Sequence, residues 1–233
     1  MDKEKIKVPL KVIKKNQIYY LMDNHSKARK CKPWLGDMLC FLYDRIMEKS
    51  VFPKKFNGSI EKHYEILKDA LKEICGKEVL EIATGSGNAV RFLNEDNFYT
   101  GIDISPGLLR RAFKNFEKQG FLNSEFYVAN AADLPFNNDL FDIALCHLSL
   151  NFFSDIESFI LELKRVLKPG GQFYCSVPVQ EKKSQRAKIH GNLYTTETLR
   201  NLFRKHQFDF EKLIYENGAL LYFKAQSMDD HAV

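Results

Sequence analysis

The chain has 233 residues, enough for one α/β domain with a full hydrophobic core and too few for two. Hydrophobic residues make up 45% and charged residues 28%, which excludes a disordered chain, and no apolar run approaches the roughly 18 residues of a membrane span. The net charge of +5 comes from residues 1–32, where ten basic residues accompany three acidic ones, so the remainder has no basic surplus for binding a phosphate backbone.

Residues 1–32 form a basic N-terminal arm, and the apolar runs on either side of Lys14–Gln17 predict a small β-hairpin there. Residues 33–76 follow as a helical cap, and residues 77–233 are expected to form the main domain. The predicted cap helices are Trp34–Met47 and Ile60–Ile74.

In the main domain, short runs rich in Val, Ile, Phe and Tyr alternate with amphipathic stretches, which predicts a mostly parallel sheet flanked by helices. The predicted strands are Glu78–Ala83, Phe98–Ile104, Glu125–Ala129, Phe141–His147 and Gln172–Val177. The predicted helices between them are Pro106–Gln119 and Ile156–Leu167. The second helix has one apolar stripe and stops at Lys168–Gly171, where proline cannot continue a helix and glycine permits the reversal.

The C-terminal part departs from this alternation. A predicted helix, Thr195–His206, with Thr195 or Thr196 as its N-cap, precedes two strand-like runs, Phe208–Tyr215 and Ala219–Ala225. Because an Asn-Gly turn signal separates the two runs, we expect a hairpin that adds one antiparallel strand to the sheet.

A glycine-rich turn follows the first strand of the main domain, in the segment Val79–Asn88, which reads VLEIATGSGN. Glycine lets backbone N–H groups approach a ligand closely, and a helix can begin just after this turn. Asp103 then ends the second strand, where a carboxylate accepts hydrogen bonds from ribose hydroxyls in Rossmann-like sites. These two features predict a nucleotide site.

The glycine spacing limits which nucleotide can bind. The dinucleotide pattern G-x-G-x-x-G/A fails at Asn88 when it starts at Ala83 and at Val90 when it starts at Gly85, and no P-loop sequence occurs. The spacing present is A-x-G-x-G, which suits an amino-acid tail in place of a pyrophosphate. Two further motifs follow at the expected places between the predicted strands. They are the polar segment Ala131–Phe136 after the third strand and the Lys-Pro-Gly-Gly turn before the fifth.

With these motifs, residues 43–171 resemble the class I S-adenosylmethionine (SAM)-dependent methyltransferases, nearest to the type 11 branch. The resemblance implies an α/β fold with a Rossmann-like, doubly wound, seven-stranded sheet ordered 3-2-1-4-5-7-6, with strand 7 antiparallel and a helical cap. It implies SAM as cofactor and S-adenosylhomocysteine as product.

The resemblance also implies a residue set for the cofactor. Ala83, Gly85 and Gly87 would line its methionine part, and Asp103 would hold the ribose. Ile104 would pack on the adenine, and Asp133 would accept a hydrogen bond from the adenine amino group, beside the Ala132 backbone. Tyr43 would reach the methionine carboxylate, although a tyrosine packed on the sheet fits the same sequence. The predicted cofactor-binding residues are Tyr43, Glu81, Ala83, Thr84, Gly85, Gly87, Asp103, Ile104, Ser105, Ala132, Asp133, Leu134 and Cys146.

The segment Cys146–Asn151 leaves the fourth strand, which in the resembling family lies beside the transferring methyl group. His147 is the candidate general base, although a histidine at a strand end is more often structural. His147, Ser149 and Asn151 are the predicted acceptor-binding residues, and Asn151 could equally cap the next turn.

The acceptor is predicted to be a small molecule. The segment after the fourth strand lacks the Asn/Asp-Pro-Pro-Tyr/Phe motif of enzymes that methylate nucleobase amines, and its apolar character favours a small acceptor over nucleic acid. Two alternatives stay open: a methyltransferase that acts on RNA or protein through the basic arm, and a SAM-binding module without catalysis. The sequence indicates no oligomeric state.

The cysteine and histidine usage completes the prediction. The five cysteines are odd in number, scattered and without a C-x-x-C pair, which is typical of reduced thiols in a cytoplasmic protein. The six histidines form no pair at ligand spacing, so we expect no bound metal.

Overall fold

A computed structural model of the protein describes residues 5–22, 42–184 and 188–228. These residues form one nine-stranded sheet with helices on both faces. The strands are β1 (Val12–Lys15), β2 (Ile18–Leu21), β3 (Glu78–Ile82), β4 (Phe98–Asp103), β5 (Ser124–Val128), β6 (Phe141–His147), β7 (Leu167–Pro178), β8 (Phe208–Lys212) and β9 (Leu220–Ser227). The α-helices are α1 (Tyr43–Ile46), α2 (Ile60–Leu71), α3 (Pro106–Lys118), α4 (Ile156–Val166) and α5 (Thr196–Lys205).

The strands lie in the order β1-β2-β5-β4-β3-β6-β7-β9-β8. Strands β5, β4, β3, β6 and β7 run parallel, and β9 is antiparallel to both of its neighbours. When β3 is numbered strand 1 and the later strands follow in chain order, the seven strands of the main domain have the predicted order 3-2-1-4-5-7-6. The seventh of them, β9, is antiparallel, as predicted. The predicted count of seven strands was wrong for the whole sheet, because the N-terminal hairpin adds two more.

The hairpin of β1 and β2 continues the sheet beyond β5. Its turn residues Asn16 and Gln17 have φ of 50° and 64°, the left-handed geometry that tight β-hairpins favour. Tyr19 pairs with Tyr127 of β5 in parallel register, and the two rings stack with centroids 4.7 Å apart. The predicted hairpin is thus present and is an edge of the main sheet; residues 23–32 of the arm, and with them its predicted boundary, lie outside the described residues.

Helices cover both faces of the sheet, as the alternating sequence predicts. Helices α2 and α3 pack on one face and α4 and α5 on the other, each through a buried apolar stripe. The side chains of Ser105, Asp155 and Thr195 accept hydrogen bonds from the first turns of α3, α4 and α5. Such N-caps fix where each helix begins, and hence where the preceding strand releases the chain.

The cap differs from the prediction. Residues 34–41 of the predicted helix Trp34–Met47 lie outside the described residues, and beyond α1 the chain continues as a π-helix over Met47–Phe56. Pro53 lies inside this π-helix; proline lacks an N–H group and its ring clashes with the carbonyl one turn earlier, which disfavours regular α-helix. Nowhere in the described ranges is a helix long and apolar enough to cross a bilayer.

Candidate functional site

A cleft of about 950 Å³ opens at the carboxyl ends of β3, β4, β5 and β6. Strands β3 and β6 are neighbours although two strands separate them in sequence, and ligands of open α/β sheets bind at such a switch point. We distinguish two sides. The glycine-turn half comprises the segments after β3, β4 and β5; the β6 half comprises residues 148–159, residues 189–190 and the cap residues 46–56.

The glycine turn has strained backbone at its first position. Ala83, Gly85 and Gly87 all have positive φ, of 58°, 58° and 80°. Ala83 carries a Cβ, so the left-handed conformation there costs about 1–2 kcal/mol. Ala83 and Gly85 line the cleft, as predicted for the methionine end of a cofactor.

Gly87 faces the protein instead of the cleft. A Cβ at this position would lie 2.7 Å from the Cα of Ala112 in α3, so glycine permits the turn to approach that helix. The expected α-helix after the turn is absent, and the chain makes a single 3-10 turn over Asn88–Arg91. Gly87 thus has a packing role, and the prediction that it also lines the cofactor stays a prediction.

Asp103 is held in place by backbone donors. Its Oδ2 accepts a hydrogen bond from the Gly85 N–H at 2.9 Å, and its Oδ1 accepts one from the Ser105 N–H at 2.9 Å. A carboxylate offers about four acceptor positions, which leaves room for ribose hydroxyls on the cleft side. Because Asp103 also lines the cleft, its chemistry fits the predicted ribose contact.

Ser105 does not reach the cleft. It is fully buried, and its Oγ accepts a hydrogen bond from Leu108 N–H as the N-cap of α3. Ser105 thus has a capping role, and its predicted cofactor contact stays a prediction.

Glu81 and Thr84 also lie behind the cleft wall. The Thr84 hydroxyl donates to Glu81 Oε2 at 2.5 Å, and the Tyr99 hydroxyl donates to the same oxygen. Burial raises the pKa of Glu81 to about 7, and the negative charge of Asp103 adds to the rise. The two residues therefore support the glycine turn from within the sheet and make no contact with the open volume.

The far end of the glycine-turn half holds the predicted adenine contacts. Ile104, Ala132 and Asp133 line the cleft, whereas Leu134 is fully buried. The Lys7 ammonium lies 2.8 Å from Asp133 Oδ1, so the N-terminal arm contacts this end directly. The strand β2 of the same arm contributes the apolar Leu21 to the wall.

The cap is tied to the glycine turn through Asp44. Its Oδ1 accepts hydrogen bonds from the Ser86 hydroxyl at 2.5 Å and from Asn88 Nδ2 at 3.2 Å, and its Oδ2 pairs with Arg111 of α3 at 2.5 Å. The side chain of Tyr43 lies outside the described part of the structure, so its predicted contact with the methionine carboxylate stays a prediction.

His147 is turned into the protein. Its Nδ1 lies 3.1 Å from Ser176 Oγ, and its Nε2 is buried without a hydrogen-bond partner. Burial holds the pKa of His147 well below its usual range, and the neighbouring ring of His63, 6.0 Å away between centroids, lowers it further. His147 is absent from the residues that line the cleft, and its predicted roles as general base and acceptor contact stay predictions.

Cys146 is buried as well, beside Cys175 on the adjacent strand. Because successive strand residues point to opposite faces, Cys146 and His147 lie on opposite sides of the sheet. Cys146 is absent from the residues that line the cleft, and its predicted cofactor contact stays a prediction.

The β6 half begins at Leu148, which has φ of 60° and lines the cleft. Ser149 and Asn151 line it too, as predicted for acceptor contacts. Asn151 Nδ2 donates to the His190 carbonyl at 2.7 Å, and the Asn151 carbonyl accepts from Asn192 N–H at 2.7 Å. These bonds bring a second loop onto the cleft.

That second loop contributes Ile189 and His190 to the wall. Sequence reasoning missed both, because the stretch between β7 and α5 has no periodic pattern and no motif. The remaining wall of the β6 half is largely apolar. Its apolar side chains are Ile46, Met47, Val51, Phe56, Phe152, Phe153 and Phe159.

Among the residues that the structure describes, no three histidine, cysteine or acidic side chains lie close enough together to hold a metal ion. The cleft presents the glycine-rich turn and the fixed carboxylate of Asp103 on one side and an aromatic wall on the other.

Residues 80–175, from the first strand of the main domain to the fifth, match the family model described as a methyltransferase domain. Over these residues the chain is similar to the SAM-dependent methyltransferases. SAM is the cofactor of this family, and the fixed Asp103 and the glycine turn fit it.

Known methyltransferases resemble this chain over part of their length. An uncharacterized chloroplastic methyltransferase of Arabidopsis thaliana is 29% identical over 146 residues, covering 60% of this chain and 41% of the relative. A demethylmenaquinone methyltransferase of Tropheryma whipplei is 38% identical over 99 residues, covering 42% and 40%. The chain thus spans about two fifths of these curated relatives.

A solved structure of a SAM-dependent methyltransferase from Mesorhizobium loti has the same fold. It superimposes with a TM-score of 0.61 at 17% identity and covers 71% of this chain and 97% of that one. At this identity the similarity concerns the fold alone.

Proposed function

We propose that this methyltransferase transfers the methyl group of SAM to a small, largely apolar acceptor. The observation that carries the proposal is the single cleft that joins the fixed carboxylate of Asp103 to a wall of phenylalanine side chains. A cofactor and an acceptor bound in one cleft can meet without exposure to bulk water.

The residues of the glycine-turn half would hold the cofactor. Asp103 would accept hydrogen bonds from the ribose hydroxyls, Ala83 and Gly85 would flank the methionine part, and Ile104 would pack on the adenine near Asp133. Bound SAM supplies a methyl group already activated by a sulfonium. The protein therefore needs to orient the acceptor and exclude water, and such positioning is worth about 7–11 kcal/mol.

The β6 half supports an apolar acceptor. Phe56, Phe152, Phe153 and Phe159 line it, and aromatic side chains favour ring-bearing ligands. The Tropheryma relative is named for a quinone substrate, which agrees in chemical type with this wall.

The alternative acceptors, RNA or protein, would require the basic arm as a docking element. In the described part of the arm, Lys5 pairs with Glu78 at 3.0 Å and Lys7 pairs with Asp133 at 2.8 Å. These two ammonium groups are engaged with the main domain, which favours the small-molecule proposal. We also propose a cytoplasmic location, supported by the free thiols of Cys75, Cys146 and Cys175.

The test is calorimetric titration of the protein with SAM, S-adenosylhomocysteine and NADH. We expect micromolar binding of both adenosyl ligands and none of NADH. Asp103→Asn should weaken adenosyl binding at least about tenfold, since a hydrogen bond to a charged group contributes about 1.5–3 kcal/mol. Asp209→Ala, which changes an exposed carboxylate on β8, is the matched control and should bind like the unaltered protein.

Two results would contradict the proposal. Failure of both adenosyl ligands to bind at millimolar concentration would separate the fold from the function. Equal affinities of the Asp103→Asn and Asp209→Ala variants would show that the carboxylate at the end of β4 does not hold the ribose.

A further inference from the structure

Five described side chains that line the cleft are ionisable: Lys55, Asp103, Asp133, Asp155 and His190. Three of them have other roles. Asp103 is held by the backbone of the glycine turn, Asp133 is paired with Lys7, and Asp155 caps α4 by accepting from Ser158. Of the remaining two, Lys55 and His190, the imidazole is the side-chain type that most often serves as a general base. His190 is therefore the candidate base of the cleft.

The His190 loop is fixed against the exit of β6. Asn151 is buried and donates from Nδ2 to the His190 carbonyl at 2.7 Å. Gly191 has φ of 88°, and a Cβ there would lie 2.3 Å from the Asn151 carbonyl oxygen, so the loop requires glycine for this approach. The His190 loop is thus held against the segment that follows β6, one of the two strands at the switch point.

Neither Ser149 nor His147 offers the cleft a base. Ser149 Oγ donates to the His147 carbonyl at 3.2 Å, and the ring of His147 faces away from the cleft toward Ser176. His190 is therefore the described imidazole that an acceptor in the cleft can reach.

We propose that His190 is the catalytic base, and that the acceptor is an aromatic hydroxyl compound whose ring packs against the phenylalanine wall and whose hydroxyl faces this imidazole. The inference rests on the proposed methyl transfer and specifies its acceptor. A proton-bearing hydroxyl gives a neutral imidazole a proton to remove, and the rings of Phe152 and Phe153 give the acceptor an aromatic surface.

Methyl transfer to the hydroxyl breaks one bond in each reactant. The hydroxyl O–H bond of the acceptor breaks, and its proton binds the free ring nitrogen of His190. The oxygen lone pair forms the new O–C bond while the C–S bond of the methyl donor breaks, and its electron pair stays on sulfur. The products are the aryl methyl ether, the thioether S-adenosylhomocysteine and an imidazolium that returns its proton to water.

The kinetic test compares two phenols of different acidity, phenol itself and pentafluorophenol, with labelled SAM at neutral pH. Phenol stays protonated under these conditions and needs a base, whereas pentafluorophenol is ionised and needs none. We expect His190→Asn to slow methylation of phenol by about 10²-fold or more and methylation of pentafluorophenol only slightly. Asn192→Ala, in the same loop, is the control and should leave both rates unchanged, because Asn192 meets Asn151 through its backbone.

A second readout does not depend on turnover. Histidine-ring NMR spectra of the complex with S-adenosylhomocysteine should show the His190 resonances shifting on addition of 2-naphthol, with those of the buried His63 unchanged. Calorimetry with SAM should give the same affinity for His190→Asn as for the unaltered protein, which confirms that the variant is folded.

Each failure has a distinct meaning. Absence of SAM binding by the unaltered protein would overturn the proposed function, and the base with it. SAM binding without methylation of either phenol would overturn the aromatic hydroxyl acceptor. Equal losses for both phenols in His190→Asn, or none, would overturn the role of His190 as base.

Discussion

The two halves of the cleft are built in different ways. The glycine-turn half is fixed by contacts among strand ends that are neighbours in the sheet, such as the bond from Gly85 N–H to Asp103. The β6 half is fixed by contacts between segments with no strand pairing, such as the bond from Asn151 to the His190 carbonyl. A site at the ends of paired strands leaves a compact motif in the sequence, whereas a site built from loop contacts leaves none.

The largest effect that would test this contrast is expected at Gly87. The variant Gly87→Ala places a Cβ against the backbone of Ala112 at a φ of 80°, so clash and strain add. We expect the free energy of unfolding to fall by about 3 kcal/mol or more, measured by urea denaturation. Gly120→Ala is the matched control: φ is 82°, the nearest atom would be 3.7 Å away, and the loss should be about 1 kcal/mol. Equal losses would show that close packing of the turn on α3 is unimportant.

An intermediate effect is expected from pH, because the buried groups behind the glycine turn and at the end of β6 respond to pH in opposite ways. Burial lowers the pKa of His63 to about 3 and that of His147 well below its usual range. Both histidines are neutral in the folded protein and gain a proton on unfolding below about pH 6.5, so they reduce stability as pH falls. Glu81, whose pKa is raised to about 7, is protonated in the folded protein and opposes this loss between about pH 4.5 and 7.

Two histidines against one carboxyl leave a net loss of stability as the pH falls from 6 to 5. Glu81→Gln should remove the opposing group and steepen this loss by up to about 1.4 kcal/mol per pH unit. Urea denaturation at several pH values measures both slopes. An unchanged slope in Glu81→Gln would mean that Glu81 is ionised in the folded protein.

The smallest effect is expected at Ala83, where a left-handed conformation carries a Cβ. Ala83→Gly should relieve the strain but enlarge the conformational freedom of the unfolded chain, for a net gain of about 0.5–1 kcal/mol. Thermal denaturation detects such a gain, and SAM affinity should be unchanged. A loss of stability would indicate that the Ala83 side chain makes packing contacts that outweigh the strain.

Much of the fold and of the glycine-turn half was predictable from sequence. The alternation of apolar runs predicted the parallel strands, and the Asn-Gly turn signal predicted the antiparallel hairpin of β8 and β9. Asp103, Ala83 and Gly85 stand where the motif predicted them because their positions depend only on the ends of β3 and β4.

The rest depended on tertiary contacts that no local pattern encodes. Strand periodicity predicts that Cys146 and His147 face opposite sides, but both sides are core at the end of β6, and neither residue is among those that line the cleft. His190 lines the cleft because Gly191 can approach Asn151, a contact across about forty residues. The sequence predicted the N-terminal hairpin, but it did not predict that β2 pairs with β5, because that pairing depends on which edge of the sheet is open.

The placement of the N-terminal hairpin has a consequence for how the chain is made. Strand β2 leaves the ribosome first, yet its partner β5 is synthesised about a hundred residues later, so this pairing closes late in folding. Until then β5 is an open edge that another chain could join. Once the hairpin docks, the edge passes to β1, whose exposed Lys14 and Lys15 oppose strand addition by a second molecule.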